Sequence, residues 1–329
     1  MKLGLKTRIL PADGHAVAEA ARCLTEGGLV AFPTETVYGL GADANQAAAI
    51  ARLYEAKGRP SFNPLIAHVA DLAEARKIAR FDATATRLAE AFWPGPLTLV
   101  LPKTDECPVA ELATAGLDTV AIRVPAHPIA RDILRAFGGA VVAPSANISG
   151  HVSPTTAAHV ASDLTGRVDL ILDGGPVEVG VESTIVACFD VPMLLRPGGL
   201  PREAIERVLG YALQRLPEDA VNDDAQPLAP GMLASHYAPR TPVRLIATSV
   251  QPDEALLAFG NVGIDGANTA KAVMNLSAAG DLAEAAANLF GYLRALDARG
   301  ARTIAVMPVP HHGLGEAIND RLRRAAIGR

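Results

Sequence analysis

The feature that most constrains this chain is a join that recurs three times in its first half: a short apolar run or an amphipathic helix passes straight into a polar loop. The loops are residues 33–41 (PTETVYGLG), 57–65 (KGRPSFNPL) and 144–150 (PSANISG). Apolar runs and helices that end in such loops are how an α/β protein presents its binding residues. Together the loops offer hydroxyls, flexible backbone and fixed positive charge, with almost no general acid or base. That inventory suits an enzyme that holds anionic reactants in place. It does not suit a hydrolase.

With 329 residues, 50% of them hydrophobic and 20% charged, the chain has material for one large domain or two moderate ones with a full core. A formal net charge of −5 and the lack of a Lys/Arg stripe argue against a stable grip on nucleic acid. Arg321, Arg323 and Arg324 read as the charged last turn of a helix. Cys23, Cys107 and Cys188 stand too far apart for a disulfide framework or a zinc motif. Neither a signal peptide nor a membrane-length apolar run is read, so a cytoplasmic setting is the expectation.

Helices are predicted at 14–26 behind Asp13, at 46–56 between Asn45 and Gly58, and at 71–79, 84–92 and 127–136, with another opened by Ser153-Pro154-Thr155. Strands are predicted at 29–32, 65–69, 97–101, 119–124, 140–143, 169–172, 181–187 and 192–196. Some are joined through helices and others lie almost as hairpins, so the sheet is read as mixed. Prolines and acidic residues break up 217–241, a semi-stiff linker, although 235–239 (SHYAP) carries more side-chain chemistry than a spacer needs. Beyond it, strands at 243–247, 272–276 and 302–307 alternate with helices at 252–259, 281–298 and 314–326, the rhythm of a small Rossmann-like domain. The expected division is 1–216, 217–241 and 242–329.

Several side chains invite chemistry. Lys57 and Arg59 alone would be a basic helix end; followed by Ser61 and the rigid Asn63-Pro64 turn, they are equally a phosphate site. A charge at a helix exit adds little to folding, so Arg59 is expected to matter for activity and not for stability. Arg123 sits in an apolar strand and demands a counter-ion, which a ligand carboxylate, Glu35 or Glu182 would supply. Ser145, Asn147 and Ser149 form a turn that needs no ligand. His68 on a strand reads first as a core histidine, and His311-His312 as solvated. No Walker A loop, spaced G-x-G-x-x-G, G-x-S-x-G elbow or Ser-His-Asp arrangement is found.

Taken in register, residues 33–41, 57–65, 93–97, 120–125, 143–150 with 153–155, 180–185 and 195–198 resemble the threonylcarbamoyl-AMP synthase family (YrdC-like) in its long two-domain form, and 235–239 resembles that family's linker motif. The resemblance implies an α/β fold: a YrdC-like twisted mixed sheet with flanking helices, plus a small C-terminal Rossmann-like domain. It also implies a nucleotidyltransferase that condenses L-threonine, bicarbonate and ATP into threonylcarbamoyl-AMP and pyrophosphate. The product would feed t6A modification of tRNA through a separate transfer complex.

Carried over position by position, the L-threonine pocket would be Thr36, His68, Arg123, the backbone at Ala143, and Ser183. The ATP side would be Arg59, Asn63, Thr119, Ser145, Ser153, Arg196 and, from the linker, Tyr237. Lys57 would join Arg59 in a catalytic phosphate cluster. Mg2+ would arrive with ATP, with no metal site of the protein's own. Two alternatives stay open at this point: a carbamoyltransferase drawing on carbamoyl phosphate, and a non-enzymatic RNA-binding module.

Overall fold

The structure, a computed structural model, describes residues 5–215 and 237–327. Its larger sheet has eleven strands: β1 (Arg8–Pro11), β2 (Val30–Pro33), β3 (Tyr38–Asp43), β4 (Ile66–His68), β5 (Leu97–Pro102), β6 (Thr119–Arg123), β7 (Val141–Val142), β8 (Leu170–Asp173), β9 (Thr184–Ala187), β10 (Met193–Arg196) and β11 (Gln214–Arg215). Their spatial order is β1-β8-β2-β3-β7-β4-β6-β5-β9-β10-β11. Parallel pairs such as β4/β6 and β5/β9 alternate with antiparallel ones such as β4/β7 and β5/β6, so the sheet is mixed.

The helices of this region are α1 (Gly14–Thr25), α2 (Ala47–Lys57), α3 (Leu72–Ile78), α4 (Ala83–Phe92), α5 (Glu111–Thr114), α6 (Pro128–Phe137), α7 (Ala157–Leu164) and α8 (Arg202–Leu209). Successive strand residues point to opposite faces. One face, with Ala31, Leu40, Ala67, Leu99, Ile122, Val142 and Val186, forms a continuous core with α2, α3, α4, α5, α7 and α8. The other face is covered by α1 and α6 only over β2, β7 and β8. Over β4, β6, β5, β9 and β10 it carries a small cluster, Ile66, Val100, Ala121, Ile185, Ala187 and Leu195, with no helical residue in it. That helix-free half of the sheet is where a cleft can form.

Local differences from the sequence reading have physical reasons. Residues 38–43 are strand and not loop. Gly41 permits it, because a Cβ there would lie 2.7 Å from the Phe32 ring on the neighbouring strand. Ser153-Pro154-Thr155 does not open a helix. The Pro154 carbonyl accepts from Tyr38 N (3.0 Å), and α7 begins later, behind Thr156, whose hydroxyl accepts from His159 N. Helix α2 is preceded by Gln46, without a side-chain cap, and ends at Gly58.

A second sheet holds β12 (Val243–Arg244), β13 (Glu254–Ala258), β14 (Val273–Asn275) and β15 (Thr303–Val306), all parallel, in the order β12-β15-β13-β14. Two helices pack with it, α9 (Leu282–Asp297) and α10 (Leu314–Ala326). The helix expected at 252–259 is strand β13. Its Glu-Ala-Leu-Leu-Ala run favours helix locally, but all five residues are buried in a central strand between β14 and β15, and tertiary pairing prevails.

This domain's core also takes in Val37, Val152 and Val181 of the larger one. At Gly180 the main chain runs against α9, where a Cβ would lie 2.3 Å from the Ala286 carbonyl oxygen. Most of the expected linker falls at 216–236, outside the described residues. Its described end is packed: Tyr237 and Ala238 are buried, and Ala238 N donates to the Gly150 carbonyl (2.9 Å).

Candidate active site

Strand register sets the geometry of the cleft. In the parallel pair β4/β6, His68 stands opposite Arg123 and Ile66 opposite Ala121, so the four share one face. Thr119 lies on that face at the far end of β6, roughly 13 Å from Arg123 at about 3.3 Å per residue. Over this face opens a cleft of about 480 Å³ including its solvent-open mouth, lined by Thr36, Val37, Arg59, Ile66, His68, Arg123, Ala143, Pro144, Ser145, Glu182, Ser183, Arg196 and Tyr237. Of the residues carried over from the resemblance, nine are brought together here. Lys57, Asn63, Thr119 and Ser153 stand outside the lining.

Arg123 is buried and donates to Glu35 Oε1 (2.6 Å), Thr36 Oγ1 (3.0 Å) and the Gly95 carbonyl (3.2 Å). Of the counter-ions the sequence allowed, this structure uses Glu35. Burial alone would raise the Glu35 carboxyl, but Arg123 outweighs it and holds the group below the usual carboxylate range. Arg196 donates to the Ser183 carbonyl (2.9 Å) and hydroxyl (3.3 Å), and that hydroxyl also bonds Thr98 Oγ1 (2.8 Å).

Arg59 has no carboxylate within ion-pair distance among the described residues. It donates to the carbonyls of Asn63 (3.4 Å) and Pro64 (3.0 Å). Burial pushes its guanidinium down to about 10, so it stays cationic at neutral pH. A buried cation of this kind is costly until an anion arrives. Beside it, the Asn63 side chain is fully buried, and neither its amide nitrogen nor its oxygen finds a partner among the described residues. Buried carboxamides are seldom left unsatisfied. This one is an exception.

His68 is also buried. Its Nδ1 lies 3.1 Å from the Ile66 carbonyl; a carbonyl can only accept, so Nδ1 carries the proton and Nε2 the lone pair. Burial, with Arg123 nearby, lowers its pKa to about 3. The unfolded chain's histidine takes up a proton near 6.5, so this site contributes stability above that pH and loses it as pH falls toward 3. NMR of the imidazole carbons should therefore show His68 unprotonated from pH 8 down to pH 5. A titration midpoint near 6.5 would contradict the buried, neutral assignment.

Lys57 departs from its assignment. Its Nζ donates to the carbonyls of Ser145 (2.5 Å) and Asn147 (2.5 Å), and its own carbonyl accepts from Ser149 N (2.8 Å). Burial, then Arg59, lowers the ammonium well below its ordinary range. Lys57 thus pins the 144–150 loop and stands outside the cleft lining. Ser153 donates to Glu182 Oε1 (2.5 Å). The Glu182 Oε2 accepts from Arg321 Nε (2.8 Å).

Arg323 and Arg324 do lie in the last turn of α10, but two of the tail arginines are not solvated. Arg321 is completely buried and Arg324 nearly so; their guanidinium carbons lie 5.1 and 5.4 Å from the centre of the Tyr237 ring. A signal existed: Arg321 falls at helical spacing among Ala317, Ile318, Leu322 and Ala325, all buried. No group of three or more His, Cys, Asp or Glu able to hold a metal occurs among the described residues, and none of the described helices is long and apolar enough to cross a membrane.

A cleft that gathers buried arginines, hydroxyls and a neutral imidazole on the open half of a mixed α/β sheet defines an enzyme that positions anionic substrates for group transfer. Residues 22–198 match the Sua5/YciO/YrdC family model, described as "Telomere recombination", and residues 200–327 match "Threonylcarbamoyl-AMP synthase, C-terminal domain". The threonylcarbamoyl-AMP synthase of Bacillus subtilis (strain 168) is 42% identical over 333 residues, covering 97% of this chain and 95% of the relative. That of Pyrococcus abyssi (strain GE5 / Orsay) is 44% identical over 319 residues, covering 93% of each. A crystal structure of P. abyssi Sua5 complexed with L-threonine has a TM-score of 0.88 at 40% identity, covering 98% of this chain and 97% of that one. The chain belongs to the threonylcarbamoyl-AMP synthase family.

Proposed function

We infer that this chain makes threonylcarbamoyl-AMP from L-threonine, bicarbonate and ATP. The observation that carries the reading is the set of side chains that one cleft brings together. Arg123, Thr36 and neutral His68 line it with Arg59, Arg196 and Ser145, and the unsatisfied Asn63 adjoins Arg59. Ile66 and Ala121 share the sheet face of His68 and Arg123 as apolar floor. An amino acid held by Arg123 and a nucleotide held by Arg59 and Arg196 would place carbamate and α-phosphate within reach of each other.

In the proposed sequence, the threonine amine adds to bicarbonate-derived carbon, losing water, and the resulting carbamate oxygen attacks the α-phosphorus. The bond to the β-phosphate oxygen breaks, and pyrophosphate leaves with the electron pair. Mg2+ would enter on the ATP phosphates as part of the substrate, because the carboxylates in and beside the cleft, Glu182 and Glu35, are already engaged by arginines. Arg59 and Arg196 would offset the charge that gathers as three anions meet. The product would pass to a tRNA-modifying transfer complex in the cytoplasm.

Two measurements bear on this. Given 13C-bicarbonate, L-threonine and Mg-ATP, the purified protein should form an adenylate that carries the label; an adenylate without label would contradict the carbamate step. Arg123→Lys keeps a charge beside Glu35 but loses the guanidinium fork. It should raise the KM for L-threonine about 10- to 100-fold, the equivalent of about 1.5–3 kcal/mol for a charged hydrogen bond, and leave the KM for ATP nearly unchanged. The reverse pattern would reassign Arg123 to the nucleotide.

A further inference from the structure

The buried Arg321 belongs to the C-terminal domain, yet it touches three separate segments in and beside the cleft. Through Nε it holds Glu182, whose other oxygen accepts from Ser153. Through Nη1 it donates to the Pro197 carbonyl (3.0 Å), the residue after Arg196. Its guanidinium plane lies over the Tyr237 ring, which stacks on Phe290 of α9 with centroids 5.5 Å apart and planes 22° from parallel. Tyr237 has a left-handed backbone (φ 62°), which a bulky residue keeps only where its surroundings enforce it. Tyr237 in turn lines the cleft together with Arg59 and Arg196. Arg321 itself does not line the cleft.

We propose that Arg321 is a positioning residue for the nucleotide half of the site, so that docking of the C-terminal domain and assembly of the ATP-binding residues are one event. Threonine binding, which rests on β4, β6, residues 34–36 and a Ser183 hydroxyl anchored separately by Thr98 of β5 (2.8 Å), does not need it. The inference builds on the function proposed above, and its test is arranged to fail separately from that reading.

The test uses the full chain with Arg321→Met, which keeps much of the side-chain volume, and the double variant Glu182→Gln/Arg321→Met, which removes both buried charges should the single variant not fold. The expected result is at least a tenfold weaker affinity for ATP by calorimetry, L-threonine affinity within twofold of wild type, and partial recovery of ATP binding in Arg321→Lys. Hydrogen exchange, which needs no activity, should quicken at the amides of Ala238 and Gly199, bonded to Gly150 and Glu182. The Leu40 amide, bonded to Pro144, should stay as protected as before. Equal loss of both ligands, or exchange that rises evenly or nowhere, overturns the proposal. A wild-type protein that makes no adenylate would instead defeat the functional reading, while the exchange pattern would still decide the role of Arg321.

Discussion

Arg59→Ala is expected to lower threonine-dependent pyrophosphate release by about two to three orders of magnitude, the usual loss when one preorganised donor to developing charge is removed. The guanidinium is a buried cation of the cleft to which no carboxylate of the described residues comes within ion-pair distance, and it sits against the unsatisfied Asn63. Its burial alters the reasoning about stability but not the expected result. The variant loses hydrogen bonds to two carbonyls, yet it also sheds a desolvated charge, and these effects oppose each other. The melting temperature should therefore move little. A collapse in melting temperature with activity retained in the surviving folded fraction would make Arg59 structural.

Glu182→Gln should have the larger effect on folding. Glu182 is buried between Ser153 and Arg321. Burial alone would raise its carboxyl, but Arg321 and Arg196 bring it below the usual range. Neutralising it leaves the buried Arg321 cation with Asp320 as its remaining carboxylate. Breaking one partner from a buried pair costs about 3–5 kcal/mol, which denaturant titration can read directly. A loss under about 1 kcal/mol would mean that the pair does not hold the domains together. Because the folded-state carboxyl is depressed, the stability it contributes is present above the ordinary carboxylate range and fades as pH falls through its lowered value. The variant should show less acid sensitivity than wild type.

Much of the architecture could be read from periodicity and punctuation. Asp13 caps α1 through Ala16 N, Gly58 ends α2, and the apolar runs at 97–101 and 119–124 became central strands. Where the reading failed, a tertiary partner had decided the outcome. Residues 254–258 favour helix locally but are enclosed by two parallel strands. Residues 38–43 look like a flexible loop because Gly39 and Gly41 are needed for close strand approach.

The same holds in the cleft. The residue types at 36, 59, 123 and 196 announce anion chemistry, but spacing cannot say that Glu35 neutralises Arg123, that Lys57 turns away to two carbonyls, or that Arg321 reaches across from the second domain. Those depend on contacts 88 to 139 residues apart in sequence.

The central claim is tested most directly by pyrophosphate release from Mg-ATP with each substrate omitted in turn. Release should require both L-threonine and bicarbonate, and threonine should outperform serine by a margin set by one methyl group, worth about 1–3 kcal/mol in a fitted pocket. Carbamoyl phosphate should not replace bicarbonate. Release that continues without threonine, or that carbamoyl phosphate sustains in the absence of bicarbonate, would contradict the account.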